Sequence, residues 1–531
     1  MNSSYSFVKD LFVVCSLITS IIGLPGLALS APLTHMPTGD PLAVYKLAWT
    51  REIRWANVID ISGIKGDTLE ARFEAAQDQL TTQKGGVVYF PAGKYRFHGD
   101  LRLHDGIVIR GADIPQGMNA LSDKFSPPTR FEFPRYVPKL EGQGTANTTA
   151  FKGILLADPE HAGNCGVMNI AINRGHIHLL DGAEHRKGKN RFVVGCVLKN
   201  AALADPVIPD ASIGQLPWQR FTLWHGGSAI SAYSSENLLI ANNRLPESGE
   251  DNFLMPGYVL LDRKKKKTSL AEGVLFDYDN RGGIVANDYP VGGGGGAMPI
   301  GTPELYPWAF SKGIVIRDNY IFCSGRSAIQ FCGDGVICSF NVIRFKPGVV
   351  RYTNTGRNLT SGSSTNDNRA VQMRGWRWTL EGNDYEVYKN LCADKQYYIN
   401  DGEGLMHEGH CNSAVVNSRL INNRGNAYLS IFKTGGVDGL LIEGNTIRTD
   451  KGTSDGIAAI FVASDRNGLK YPCQGVHINK NITSGSGIEI GGGAGKDNLI
   501  SHNRHEGANG RLIIRTEVKQ DGNTGYTLAD K

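Results

Sequence analysis

Between Asn400 and Ile447 the chain concentrates groups that can move protons or hold a polar substrate: Asp401, Glu403, His407, Glu408 and His410. A carboxylate beside a cation stays ionised, and a histidine exchanges protons near neutral pH. Such a cluster suits acid–base chemistry. The histidines of His407-Glu408-Gly409-His410 are three apart, not the four of the HExxH zinc motif. On a strand they also face opposite sides, so a core position is expected for His407 and a metal role for neither.

These residues need a scaffold, and the chain spells one out. An apolar residue followed three places later by Asn occurs at Ile240/Asn243, Ile316/Asn319, Cys338/Asn341, Leu380/Asn383, Leu420/Asn423, Ile442/Asn445, Ile478/Asn481 and Ile500/Asn503. Three of the steps, Asn319 to Asn341, Asn423 to Asn445 and Asn481 to Asn503, are 22 residues long. A fixed period of this size with short β-branched runs signals a solenoid whose coils bury their apolar faces by stacking. The expected fold is all-β: a single-stranded right-handed parallel β-helix. An Asn fixed at one place per coil can accept the left-handed turn conformation and bond to the coils above and below.

Coils in such a stack set equivalent residues about 4.8 Å apart. Aligning Ile329, Val371, Leu405 and Leu429 as inward positions gives three outward stripes: Gln330/Gln372/Met406/Ser430, Cys332/Arg374/Glu408/Phe432 and Asp334/Trp376/His410/Thr434. Arg374 then lies beside Glu408, and Trp376 lies beside His410. Asp334 is one coil further, Lys433 follows on the next coil, and Glu403 and Asp401 enter from the preceding turn. The expected catalytic set is Glu408, His410, Asp334, Glu403 and Arg374. Trp376, Gln372, Gln330, Lys433 and Asp401 are expected to bind substrate. The competing reading is a surface ion pair beside a stacked aromatic, and a one-residue slip would turn the stripes inward.

At the other end, Gly66-Asp67-Thr68 precedes a helix with Leu69, Phe73, Ala76 and Leu80 on one face, capped by Asp67 with Glu70 three residues on. The run Gly85-Gly86-Val87-Val88-Tyr89-Phe90-Pro91-Ala92-Gly93-Lys94-Tyr95 follows. Together these resemble the N-terminal signature of the pectate lyase superfamily, including its rhamnogalacturonase- and epimerase-like domains. The specific likeness covers about Asp60 to Ile114. It implies a right-handed parallel β-helix, closed by an N-terminal capping helix, that acts on polysaccharide. It leaves the reaction open, because the scaffold hosts lyases, hydrolases, epimerases and tailspikes.

The domain reading is residues 1–30 as a secretory signal, 31–57 as a lead-in, 58–506 as the solenoid with inserted loops, and 507–531 as a tail. The apolar run Leu11 to Leu29, broken by Pro25 and Gly26, ends at Ala28-Leu29-Ser30, which suits cleavage. Secretion or periplasmic export is expected, with no membrane association after cleavage. Of nine cysteines, Cys15 leaves with the signal and most of the rest are expected as small apolar core residues. The net charge of +5 over 531 residues is small, and no nucleic-acid motif is present. Gly292 to Gly296 lacks phosphate-loop spacing, and Arg263 with Lys264 to Lys267 reads as a solvated loop. Pro115 to Thr149 reads as an irregular loop layer.

The expected activity is hydrolysis of a polysaccharide by paired carboxylates, Glu408 with Asp334 or Glu403. The alternative is β-elimination on a uronate polymer, with Arg374, Lys433 or His410 taking the C5 proton. A third possibility is a non-catalytic carbohydrate-binding module. No cofactor is expected for a hydrolase. Ca²⁺ would enter only for a lyase, although an Asp-rich calcium cluster is not evident. The partner is a polysaccharide, and the expected state is a monomer.

Overall fold

The apolar residues of the repeated Asn motif stack in one register. Ile240, Ile316, Cys338, Leu380, Leu420, Ile442, Ile478 and Ile500 pair successively along a parallel ladder. In the computed structural model the described residues are 39–134, 153–179, 187–199, 229–248, 311–325, 327–347, 369–387, 403–408, 414–432, 436–449, 458–463, 472–493, 495–508 and 510–529, with the backbone of short strands between 253 and 286. Residues 1–30, read as a signal, lie outside them, as do Gly292 to Gly296 and the side chains of Lys264 to Lys267. No helix among the described residues is long and apolar enough to cross a membrane.

The architecture is a right-handed parallel β-helix. A second ladder, here called the first wall, is aligned on Ile154, Ile177, Ile230, Ile284, Ile329, Val371, Leu405, Leu429, Ile460, Ile488 and Leu512. The ladder of the Asn motif is the second wall, and a separate 12-stranded parallel sheet is the third. The side chains pointing inward from the three walls merge into one apolar core. An antiparallel ribbon, Tyr258–Asp262 with Lys267–Ala271, stands apart from the ladders.

The turn between the second and third walls holds an unbroken asparagine column: Asn243, Asn319, Asn341, Asn383, Asn423, Asn445, Asn481, Asn503 and Asn523. Each Nδ2 donates to Oδ1 of the next Asn at 2.9–3.1 Å. The backbone N–H of each donates to the same oxygen at 2.9–3.1 Å. The column satisfies backbone groups that the bend removes from the ladder, which is why Asn recurs there. One expectation changes. The left-handed residue is the one before each Asn: Asn242, Asp318, Phe340, Gly382, Asn422, Gly444, Lys480, His502 and Gly522 have φ between 53° and 69°. The stacked Asn is set by hydrogen bonding instead.

Four further boundaries differ from expectation. The helix α1, Leu69–Thr82, is capped by Thr68, whose side chain accepts from Ala71 N, rather than by Asp67. Glu70 instead accepts from the backbone N–H groups of His98 and Gly99, tying α1 to the first coil. Residues 39–57 are not an unstructured lead-in. Leu42, Trp49, Ile53 and Trp55 pack on Val87, Val108, Phe192, Val194, Leu239 and Ala241, the outward side chains of the second wall. Runs apolar on both faces, such as Gly86–Phe90, require such a cover. Within the expected loop layer, Thr129–Glu132 forms a strand of the third wall beside Gly93–Arg96. Residues 507–531 are not a tail either: Arg511–Ile514, Lys519–Asp521 and Thr527–Leu528 continue the stack.

Candidate active site on the first wall

The alignment of the expected site rests on strand register, and the register is as read. Gln330 pairs with Gln372, Cys332 with Arg374 and Asp334 with Trp376. Gln372 pairs with Met406 and Met373 with His407, so continuing by one residue sets Glu408 beside Arg374. Met406 then pairs with Ser430 and Glu408 with Phe432. Gly333 pairs with Gly375, which adopts φ +95°, and a Cβ there would strike the Gly333 carbonyl. Two glycines therefore let these coils approach at the strand end that carries Asp334 and Trp376.

The parity is also as read. Ile329, Phe331, Val371, Met373, Leu405, Leu429 and Ile431 belong to the coil core, whereas Cys332 and Trp376, apolar and buried as well, do not; strand alternation puts Gln330, Gln372, Arg374 and Ser430 on the face of those two. The exposure is not. Every residue of Ser327–Asp334 and of Arg369–Trp376 is buried, and Arg374, Trp376 and Gln372 are 0% exposed. Alternation along a strand gives the face of each side chain but not what lies against that face, so surface was expected where the structure has interior. A guanidinium, a carboxylate and two carboxamides held away from water are costly unless paired, and pairing of that kind clusters at functional sites.

Asp334 has a defined partner. Arg377 Nε donates to Asp334 Oδ1 at 2.6 Å, and Arg377 Nη2 donates to Oδ2. The Asp334 side chain is 3% exposed and that of Arg377 43%. Both carboxylate oxygens are thus engaged by one fork, which favours a positioning role for Asp334 over protonation of a leaving group.

Of the other expected residues, Glu403 and Glu408 are placed by their backbone in the strand Glu403–Glu408, and their side chains lie outside the description. Asp401, His410 and Lys433 lie outside the described residues altogether. The structure adds Arg369, which pairs in register with Glu403 and is 3% exposed. A second Arg–Glu neighbour pair therefore sits on the same two strands as Arg374 and Glu408. Its signal was available at the residue before Ala370, one place outside the aligned rows. Along the Gln330 stripe the wall continues upstream through Ser231 to His178 and downstream through Phe461 to Glu489.

Metal ligands are sparse on this wall. A hard cation such as Ca²⁺ needs six or more oxygens, several of them carboxylate. Among the described side chains the wall offers one carboxylate in this region, Asp334, already taken by Arg377. Elsewhere, Glu74, Asp78 and His104 have ligand atoms within 4.8 Å of one another, but His104 Nε2 is paired with Glu74 at 2.9 Å and the group belongs to the end cap. Cys165, Cys196, Cys332, Cys338 and Cys473 are buried and form no disulfide; burial pushes the Cys338 thiol up to about 12.

With this geometry in hand, the chain can be compared with known proteins. A family model described as rhamnogalacturonase A/epimerase, pectate lyase-like, matches residues 55–152. No curated protein matches the chain. Among solved structures, it is similar to the A-module of a mannuronan C-5 epimerase from Azotobacter vinelandii, at 13% identity over 89% of this chain and 99% of that one, with a TM-score of 0.37. The catalytic unit of a thermostable α-1,3-glucanase from Streptomyces thermodiastaticus is 12% identical over 90% of this chain and 70% of its own, with a TM-score of 0.41. A surface adhesin of Streptococcus pneumoniae is 10% identical over 89% and 93%, with a TM-score of 0.41.

Proposed function

We propose that this β-helix is a carbohydrate-active enzyme whose reaction centre is the outward face of the first wall around Arg374 and Glu408. The observation that supports it is the buried, register-aligned set Gln330, Gln372, Arg374, Asp334 and Trp376, on the strand face opposite Ile329 and Val371. The family match over residues 55–152 supports the substrate class. The finer reading is an exported glycoside hydrolase acting on a polysaccharide. Glu408 serves as base or nucleophile, and Arg374 beside it keeps that carboxyl ionised between turnovers. Gln330 and Gln372 hold sugar hydroxyls through carboxamides that both donate and accept. Trp376 offers a flat apolar face, and Asp334, braced by Arg377, is a positioning group beside it.

One observation favours a second reading. With Asp334 engaged on both oxygens by Arg377, the second free carboxylate of a hydrolytic pair is in question. A polysaccharide lyase needs no such pair. Arg374 would neutralise a uronate carboxylate, and a neighbouring base would take the C5 proton. Product analysis separates the two. Purified protein is incubated with neutral and uronate polysaccharides. Reducing ends without new ultraviolet absorbance indicate hydrolysis, absorbance from an unsaturated sugar indicates elimination, and neither product with any polymer overturns the enzymatic reading.

A further inference from the structure

A polar recess lies on the asparagine-turn edge of the coil. It is a groove of about 330 Å³ lined by Val44, Tyr45, Asn119, Leu121, Asn242, Arg317 and Asp318. Three segments distant in sequence build it. Tyr45 comes from the strap that covers the second wall, anchored by fully buried Leu42. Asn119 and Leu121 come from a loop fixed by Ala120, whose N–H donates to Asn242 Oδ1 at 2.8 Å and whose carbonyl accepts from Arg244 Nη1 at 2.9 Å. Asn242 and Asp318 occupy the left-handed turn position of two stacked coils.

The groups facing the groove are of both hydrogen-bonding kinds. Arg317 Nε donates to Asp318 Oδ2 at 2.6 Å, and the Arg317 Nη atoms and the Asn119 and Asn242 Nδ2 atoms have no hydrogen-bond partner among the described residues. Burial, with Asp318 adding to it, pushes the Tyr45 phenol up to about 12, so its hydroxyl keeps its proton and remains a donor. Beside the groove, on the next coil, stands Phe340, 45% exposed and 5.8 Å from the Arg317 guanidinium. Phe340 holds φ +54° in the turn column. For a bulky residue that conformation is strained, and Asn or Gly would fill it without cost. Leu121 and Val44 add exposed apolar surface at the rim.

We propose that this groove is a saccharide-binding site, separate from the first wall, that takes a neutral sugar ring of a polymer. A sugar hydroxyl donates and accepts at once, so it matches a rim where Asp318 accepts while Arg317, Asn119, Asn242 and Tyr45 donate. An anionic ligand meets the Asp318 carboxylate, and a purely apolar one leaves these groups unpaired. The size suits a small ligand unit. Phe340 and Tyr45 supply the flat apolar faces on which the C–H face of a pyranose rests. The site does not depend on the reaction assigned to the first wall, and it would anchor a long substrate at a distance from the bond being broken.

Hydroxyl-radical footprinting of the full chain reads this residue by residue. The probes are cellotetraose, laminaritetraose, mannotetraose and tetragalacturonate, with oxidation of exposed Leu528 as the internal reference for scavenging. At least one neutral tetrasaccharide should lower labelling of Phe340 and Leu121 several-fold. The protection should persist in Glu408→Gln, which uncouples it from catalysis. Arg317→Gln should abolish it, and Phe340→Asn, which suits the left-handed position and keeps the fold, should weaken the affinity about tenfold. Protection by tetragalacturonate alone, protection by no sugar, or protection that grows with protein concentration in the absence of sugar would each overturn the proposal, the last by making the face a contact between copies.

Discussion

Two stacked polar columns run along this molecule, and they are built on opposite principles. In the asparagine column one residue type recurs from Asn243 to Asn523, and every member hands its hydrogen bonds to the next. On the outward face of the first wall two stripes change type from coil to coil: Cys332, Arg374, Glu408, Phe432 in one and Asp334, Trp376 in the next. Repetition means that each coil solves the same local problem, an unpaired backbone at a bend. Variation at equivalent positions means that no single coil needs the group for its own folding. The first column holds the stack together, and the second is free to be specialised.

That contrast is breakable. The largest effect belongs to the varied column. Glu408→Gln should lower kcat per folded molecule on the order of 10³-fold; an unchanged rate removes Glu408 from the reaction. Next, Asn383→Ala should cost about 2–4 kcal/mol of stability, because it strands the two donors of Asn341 and the carbonyl of Cys338 inside the stack. Its activity per folded molecule, measured below the transition, should stay at the parent value. A loss of activity without a loss of stability would erase the distinction between the columns.

A smaller effect sharpens the role of Asp334. Arg377→Met leaves a buried carboxylate without its fork and should destabilise by about 1–3 kcal/mol. Adding Asp334→Asn should recover part of that loss, as thermal unfolding of the double variant would show. If Asp334→Asn alone abolishes turnover while leaving stability intact, Asp334 is catalytic rather than positioning. The smallest effect lies at the surface of the third wall. A hydrogen bond from Lys94, with Arg96 and Arg174 nearby, holds the Glu132 carboxyl below the usual carboxylate range. Because the folded-state value is depressed, the stabilisation is present above the unfolded value and is lost as pH falls through the folded one. Wild type should therefore exceed Glu132→Gln in melting temperature at neutral pH and converge with it in acid; a gap that widens on acidification contradicts the assignment.

How much of this could be read in the residues follows from the same contrast. The asparagine column was legible because a repeated three-residue spacing with equal 22-residue steps has few other causes, and all eight expected members stack. Asn523 was missed because its coil offers Gln520 where the others have an apolar residue. Register was legible from alternation at Ile329, Val371, Leu405 and Leu429. Burial of Arg374 and Trp376 was not, since alternation says nothing about what lies against a face. The strap at Leu42–Trp55 left a signal that went unused: strands such as Gly86–Phe90 are apolar on both faces, and so need a second cover. The Asp334–Arg377 fork was invisible because Arg377 sits at a left-handed turn position, φ +51°, where strand alternation no longer sets direction.

The most direct test of the first-wall assignment is a crystal structure of Glu408→Gln soaked with a tetrasaccharide of whichever polymer the wild-type protein cleaves. The account predicts a sugar ring against Gln330, Gln372 and Trp376, with the scissile linkage within reach of position 408 and Arg374. A sugar bound with its scissile linkage on another wall, and none on this one, would contradict it.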